Sequence, residues 1–94
     1  MNKEAEQFIE AVKKNARLVW DEPDDEDFVN ELLFVQEKDG VVTISDNYEK
    51  FFQTMYRITS DGKWSCRSMW SESAEWREYS FSKAMGDASI MYTG

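Results

Sequence analysis

The chain has no histidine, one cysteine and one proline among 94 residues. Without histidine it lacks the commonest general base, the usual metal ligand and every Ser–His or Cys–His catalytic pair. Cys66 alone can neither close an internal disulfide nor build a zinc or CxxC redox centre, and it reads as a small buried hydrophobe. Gly40, Gly62, Gly86 and Gly94 stand singly, so there is no glycine-rich phosphate loop. No run approaches the roughly 18 apolar residues of a membrane span. Met1–Glu10 carries Lys3, Glu4, Glu6 and Glu10 where an export signal needs an apolar stretch behind a basic start. These absences set the first expectations: no enzymatic activity, no cofactor, no metal, no membrane, and residence in the cytoplasm.

What is present is aromatic and acidic. Hydrophobic residues make up 41% of the chain and fourteen are Phe, Tyr or Trp. Each such ring buries about 150–250 Å², so one core is affordable and residues 1–94 are expected to form a single small domain. The net charge is −8, and it is unevenly placed. Residues 1–50 hold fourteen acids and six bases, whereas residues 51–94 hold five of each. Seven of the fourteen acids are Asp21, Glu22, Asp24, Asp25, Glu26, Asp27 and Glu31, with Pro23 the only break in the run 21–27. A calcium loop does not fit, because no Asp of the run has glycine at the sixth position and Glu at the twelfth. Two readings remain for the run: a solvated connector, or a docking segment for a basic surface.

Periodicity predicts the elements. Phe8, Ile9, Val12, Ala16 and Val19 form one stripe of a helix over 3–19, capped by Asn2, with acids near its start and Lys13, Lys14 and Arg17 near its end. Pro23 stops that helix, and Asp24–Asn30 suits a short helical turn. Leu32–Gln36 and Val41–Ser45 read as strands. A four-residue loop Glu37–Gly40 would set Leu33 opposite Ile44 and Val35 opposite Val42, and shorter loops are expected to scatter these residues. After a connector Asp46–Lys50, a second hairpin turns at Ser60–Gly62. With Gly62 in a G1 bulge, Ile58 faces Trp64, Tyr56 faces Cys66 and Phe52 faces Trp70. Glu75–Ser80 reads as a further strand, and Phe81, Ala84, Met85 and Ala88 as a short C-terminal helix capped by Ser80 or Ser82 and weakened by Gly86. Ile90–Tyr92 is expected to dock as a last strand or pack loosely. The fold class is therefore α+β: an N-terminal amphipathic helix on an antiparallel sheet of four or more strands. Trp20, Trp64 and Trp70 are assigned to packing, whereas Trp76, beside Arg77, is a candidate for an interface.

The charge excludes direct nucleic-acid binding, which needs a basic footprint. It favours a basic protein partner, such as a nucleic-acid-binding protein or nuclease, docked by Asp21, Glu22, Asp24–Asp27 and Glu31, with Trp76 and Arg77 as a second contact. By size and charge alone, this suits a mobile-element inhibitor of restriction or CRISPR nucleases. Two alternatives are an immunity-type protein neutralising a basic toxin and a self-associating structural subunit.

Overall fold

The computed structural model describes residues 1–19, 29–47, 53–69 and 75–90. The acidic run Asp21–Asp27, Trp20, Phe52, Trp70, Met91 and Tyr92, and the side chain of Val19, lie outside the described residues. The elements are helix α1 (Lys3–Val19), strands β1 (Leu33–Lys38), β2 (Val41–Asp46), β3 (Thr54–Ile58), β4 (Trp64–Ser68) and β5 (Arg77–Tyr79), and helix α2 (Phe81–Ile90). The strands form one antiparallel sheet in sequence order. Both helices lie on the same face of it, so the architecture is α+β.

Helix α1 starts where Asn2 Oδ1 accepts the backbone N–H of Glu4 (2.7 Å) and of Ala5 (3.3 Å), which satisfies donors left free at any helix start. Its buried stripe is Ala5, Phe8, Val12 and Ala16, with Ile9 only half-buried beside it. The stripe packs on alternate residues of the sheet, Val42, Ile44, Tyr56, Ile58, Trp64 and Cys66, all buried. Phe8 sits at the centre, its ring 4.8 Å from that of Tyr56 and 5.6 Å from that of Trp64. Beyond the acidic run, the described part of the expected turn, residues 29–30, is helical, and Val29 and Leu32 join the core.

The first hairpin departs from the expected register. Its loop is the two-residue pair Asp39-Gly40, with φ of 55° and 79°. Positive φ at both central residues is the type I′ turn that Asp-Gly favours, because its twist matches that of the strands. Val35 therefore faces Ile44, and Leu33 faces Asp46, a shift of two residues from the four-residue loop. A shift of two keeps every side chain on its face, so the shorter loop does not scatter the apolar residues. β1 accordingly runs on to Lys38, and Asp46, expected in a connector, ends β2 with 2% exposure.

The second hairpin has the expected register: Ile58 faces Trp64, Tyr56 faces Cys66, and Gly62 has φ of 86°. The N–H of Gly62 donates to the Thr59 carbonyl (2.9 Å), and that of Thr59 to the Lys63 carbonyl (3.0 Å). The Thr59 hydroxyl donates to the Asp61 carboxylate and holds its pKa below the ordinary range. A Cβ on Gly62 would meet nothing within 4 Å, so Gly62→Ala carries only the backbone penalty. That penalty is about 1–2 kcal/mol, read as a lower urea midpoint with unchanged slope.

β5 is shorter than expected, and Ser80 after it caps α2. Its Oγ accepts the Lys83 N–H (3.1 Å). Ala84 and Ala88 are fully buried, while Ile90 ends the helix 65% exposed and is no part of a strand. Asn15 of α1 ties the helices together, its Nδ2 donating to the Ser89 carbonyl (2.9 Å). Gly86 lies on the exposed side of α2 with open space around its Cβ position. Gly86→Ala is expected to raise stability by about 0.5–1 kcal/mol in the same urea titration.

Candidate protein-interaction surfaces

The residues expected to form one docking surface fall at opposite edges of the sheet. Glu31 is exposed just before β1, and its carbonyl accepts Asn47 Nδ2 (2.8 Å). Trp76 and Arg77 are at β5, the other edge. Four strand spacings of about 4.8 Å separate those edges, roughly 19 Å. Trp76 and Arg77 are themselves divided by the pleat: Arg77 pairs with Cys66 on the helix side, and Trp76 belongs to the opposite, open face. Among the described residues no helix lies on that opposite face.

On the open face the Trp76 ring meets two cations. Arg57 Cζ is 4.4 Å from the ring centroid, and Arg67 Cζ is 5.1 Å. Arg67 lies beside Trp76 across the β4–β5 ladder, and Arg57 is one strand further in, on β3. Such contacts contribute about 0.5–2 kcal/mol each, and they pin a three-residue edge strand that has few ladder bonds of its own. The expectation of an interface tryptophan is thus refined: Trp76 is half-buried and is part of a basic and aromatic cluster. Arg57 and Arg67 were missed in the sequence because each looks like an ordinary solvent-facing strand residue. The available signal was their shared alternation with Met55 and Ser65.

The helix side holds two polar clusters within its aromatic packing. Tyr56 OH donates to Asp87 Oδ2 (2.9 Å), and Tyr79 OH donates to the same oxygen. Burial first, and the Asp87 carboxylate second, push both phenols above the ordinary tyrosine range. Trp64 Nε1 donates to Glu4 Oε1 (3.1 Å), which joins the first turn of α1 to β4. Beside this bond is an open groove of about 520 Å³, edged by Lys63, Tyr79 and Phe81. Of its two serines, Ser65 and Ser80, the latter uses its Oγ as the cap of α2.

Among the described residues no three His, Cys, Asp or Glu side chains converge as metal ligands, and no helix is long and apolar enough to cross a membrane. Cys66 is buried on the aromatic side of β4. The described residues define a two-layer α+β domain with one helix-covered face and, on the other face, Arg57 and Arg67 in cation–π contact with Trp76. Comparison of the chain with protein-family models, with curated proteins and with solved structures gives no match.

Proposed function

We propose that the chain is a non-enzymatic inhibitor or adaptor whose acidic segment engages a basic surface of a partner protein, of the kind that lines nucleic-acid-binding grooves. The observation that carries this reading is the run Asp21–Asp27, six carboxylates in seven residues, set between α1 and β1. At no more than about 3.6 Å of contour per residue, this places a negative charge about every 4 Å. Each strand of B-DNA presents one per about 3.4 Å of axis. The run can therefore offer a basic groove a charge density close to that of its own ligand.

The described core supports this division of labour. Among the described residues, carboxylates that hold the fold's elements together include Glu4, with Trp64, and Asp87, with two tyrosines. Charges concentrated in one short run favour association, giving fast and salt-sensitive encounters.

The test is capture from host extract with two baits, the wild-type chain and a variant carrying Asp24→Asn, Asp25→Asn, Glu26→Gln and Asp27→Asn. The wild type is expected to retain a basic protein at about 0.1 M salt and release it towards 1 M, as the Debye length falls from about 10 to 3 Å. The variant is expected to retain none while keeping the wild-type melting temperature or exceeding it slightly. Equal retention by both baits would reduce the run to a solvated connector.

A further inference from the structure

We propose that the open face of the sheet is a carboxylate-binding surface whose occupant is the acidic run of a second copy of this chain. The inference is independent of the basic-partner reading and starts from Arg57. Its guanidinium lies over Trp76, and a ring face attracts the charge without accepting its N–H donors as a carboxylate would. Among the described residues Arg57 forms no ion pair, and its Nε is buried without a hydrogen-bond acceptor. A guanidinium held by stacking keeps its planar fork oriented for a two-point contact with a carboxylate.

The face around it has the matching character. Among the described strand residues, alternation places Lys38, Arg57 and Arg67 on it against Glu78, a net of +2 on a chain of net −8. Phe34, 49% exposed, lies on the same face. Met55 shares β3 with Arg57 and lies opposite Arg67 on β4. The acidic run is bracketed by Trp20 and Phe28, so it offers carboxylates with an aromatic residue at each end. Cations and apolar surface on one side thus meet carboxylates and rings on the other. Trp and Arg are the residues that most often anchor such contacts.

The acidic run of one copy and the basic face of the other are complementary in charge, and this complementarity favours a second copy as the occupant. Net repulsion between copies does not forbid the contact. With a radius of gyration of 12.9 Å, two centres lie more than two Debye lengths apart at 0.1 M salt, whereas contacting charges are screened little. Exchanging acidic runs between two copies is reciprocal, which gives a closed dimer.

Sedimentation equilibrium of the full chain from about 10 to 500 µM at about 0.05 M salt tests this. A dimer is expected that weakens at least tenfold by about 0.5 M salt. Arg57→Glu should weaken it at least tenfold. So should the Asp24→Asn, Asp25→Asn, Glu26→Gln, Asp27→Asn variant, which changes nothing in the described core and so keeps the test sound if Arg57→Glu loosens β5. Mixing the two variants should restore a dimer, because each supplies the half the other lacks. A monomer throughout, a dimer that tightens with salt, or a dimer indifferent to both variants would overturn the proposal. So would a monomer whose tryptophan fluorescence responds to inorganic phosphate, which would assign the face to a phosphate-bearing ligand. No partner protein enters this experiment, so its failure leaves the capture result standing, and the converse holds.

Discussion

Phe8→Ala is expected to destabilise the fold by about 3–5 kcal/mol, the largest effect of any single truncation considered. Phe8 is fully buried, and its ring touches those of Tyr56 on β3 and Trp64 on β4. Those two rings also contact each other, with centroids 6.4 Å apart, so the three form a closed cluster joining helix to sheet. Removing the ring takes away its transfer free energy and leaves a cavity bounded by two stiff aromatics that cannot collapse into it. A domain of this size has a total stability of about 5–15 kcal/mol, so the variant sits near the edge of folding at 37 °C. Urea titration followed by tryptophan fluorescence would measure the loss. A value below about 1 kcal/mol would mean that α1 is not seated on the sheet.

Alkaline pH is expected to unfold the chain through Tyr56 and Tyr79. Both phenols titrate above the ordinary value of 10.0 in the folded chain, because burial and the shared Asp87 carboxylate disfavour the phenolate. The unfolded chain therefore ionises first. The stability these groups contribute is complete below pH 10 and is lost as pH rises above it. For the buried Tyr56 the limiting slope is about 1.4 kcal/mol per pH unit. Tyr79 is less buried and adds a smaller share. Unfolding free energy measured from about pH 8 to 11 should be flat and then fall. Tyr56→Phe should start lower at pH 8, since Asp87 loses one donor, but should decline less steeply. Parallel curves for the two proteins would show that other groups govern the alkaline limit.

Periodicity and turn chemistry carried most of this fold. The α1 stripe, the Asn2 cap, the Gly62 bulge with its Ile58–Trp64 pairing, and the Ser80 cap are all local patterns, and each is legible in a few residues. The first hairpin was misjudged because hydrophobic matching was weighed above turn type. Registers two residues apart share faces, so matching could not separate them and Asp39-Gly40 decided. What depends on the fold itself stayed hidden. Nothing in the sequence brings Tyr56 and Tyr79 to one Asp87 oxygen, joins Asn15 to Ser89, or sets Arg57 and Arg67 against the Trp76 ring. The candidate site divides in the same way. Its acidic run is plain in composition. The separation of Glu31 from Trp76 across the sheet, and of Trp76 from Arg77 across the pleat, is a product of topology.

The acidic run as a docking segment is tested most directly by affinity for the captured basic partner. The binding isotherm would be measured for the wild type and the Asp24→Asn, Asp25→Asn, Glu26→Gln, Asp27→Asn variant at about 0.1 and 0.5 M salt. Loss of four contacting charges is expected to weaken binding at least tenfold at the lower salt and to flatten its salt dependence, with the melting temperature held. Equal affinities at both salt concentrations would contradict the account and move the partner's contact to the open face around Trp76.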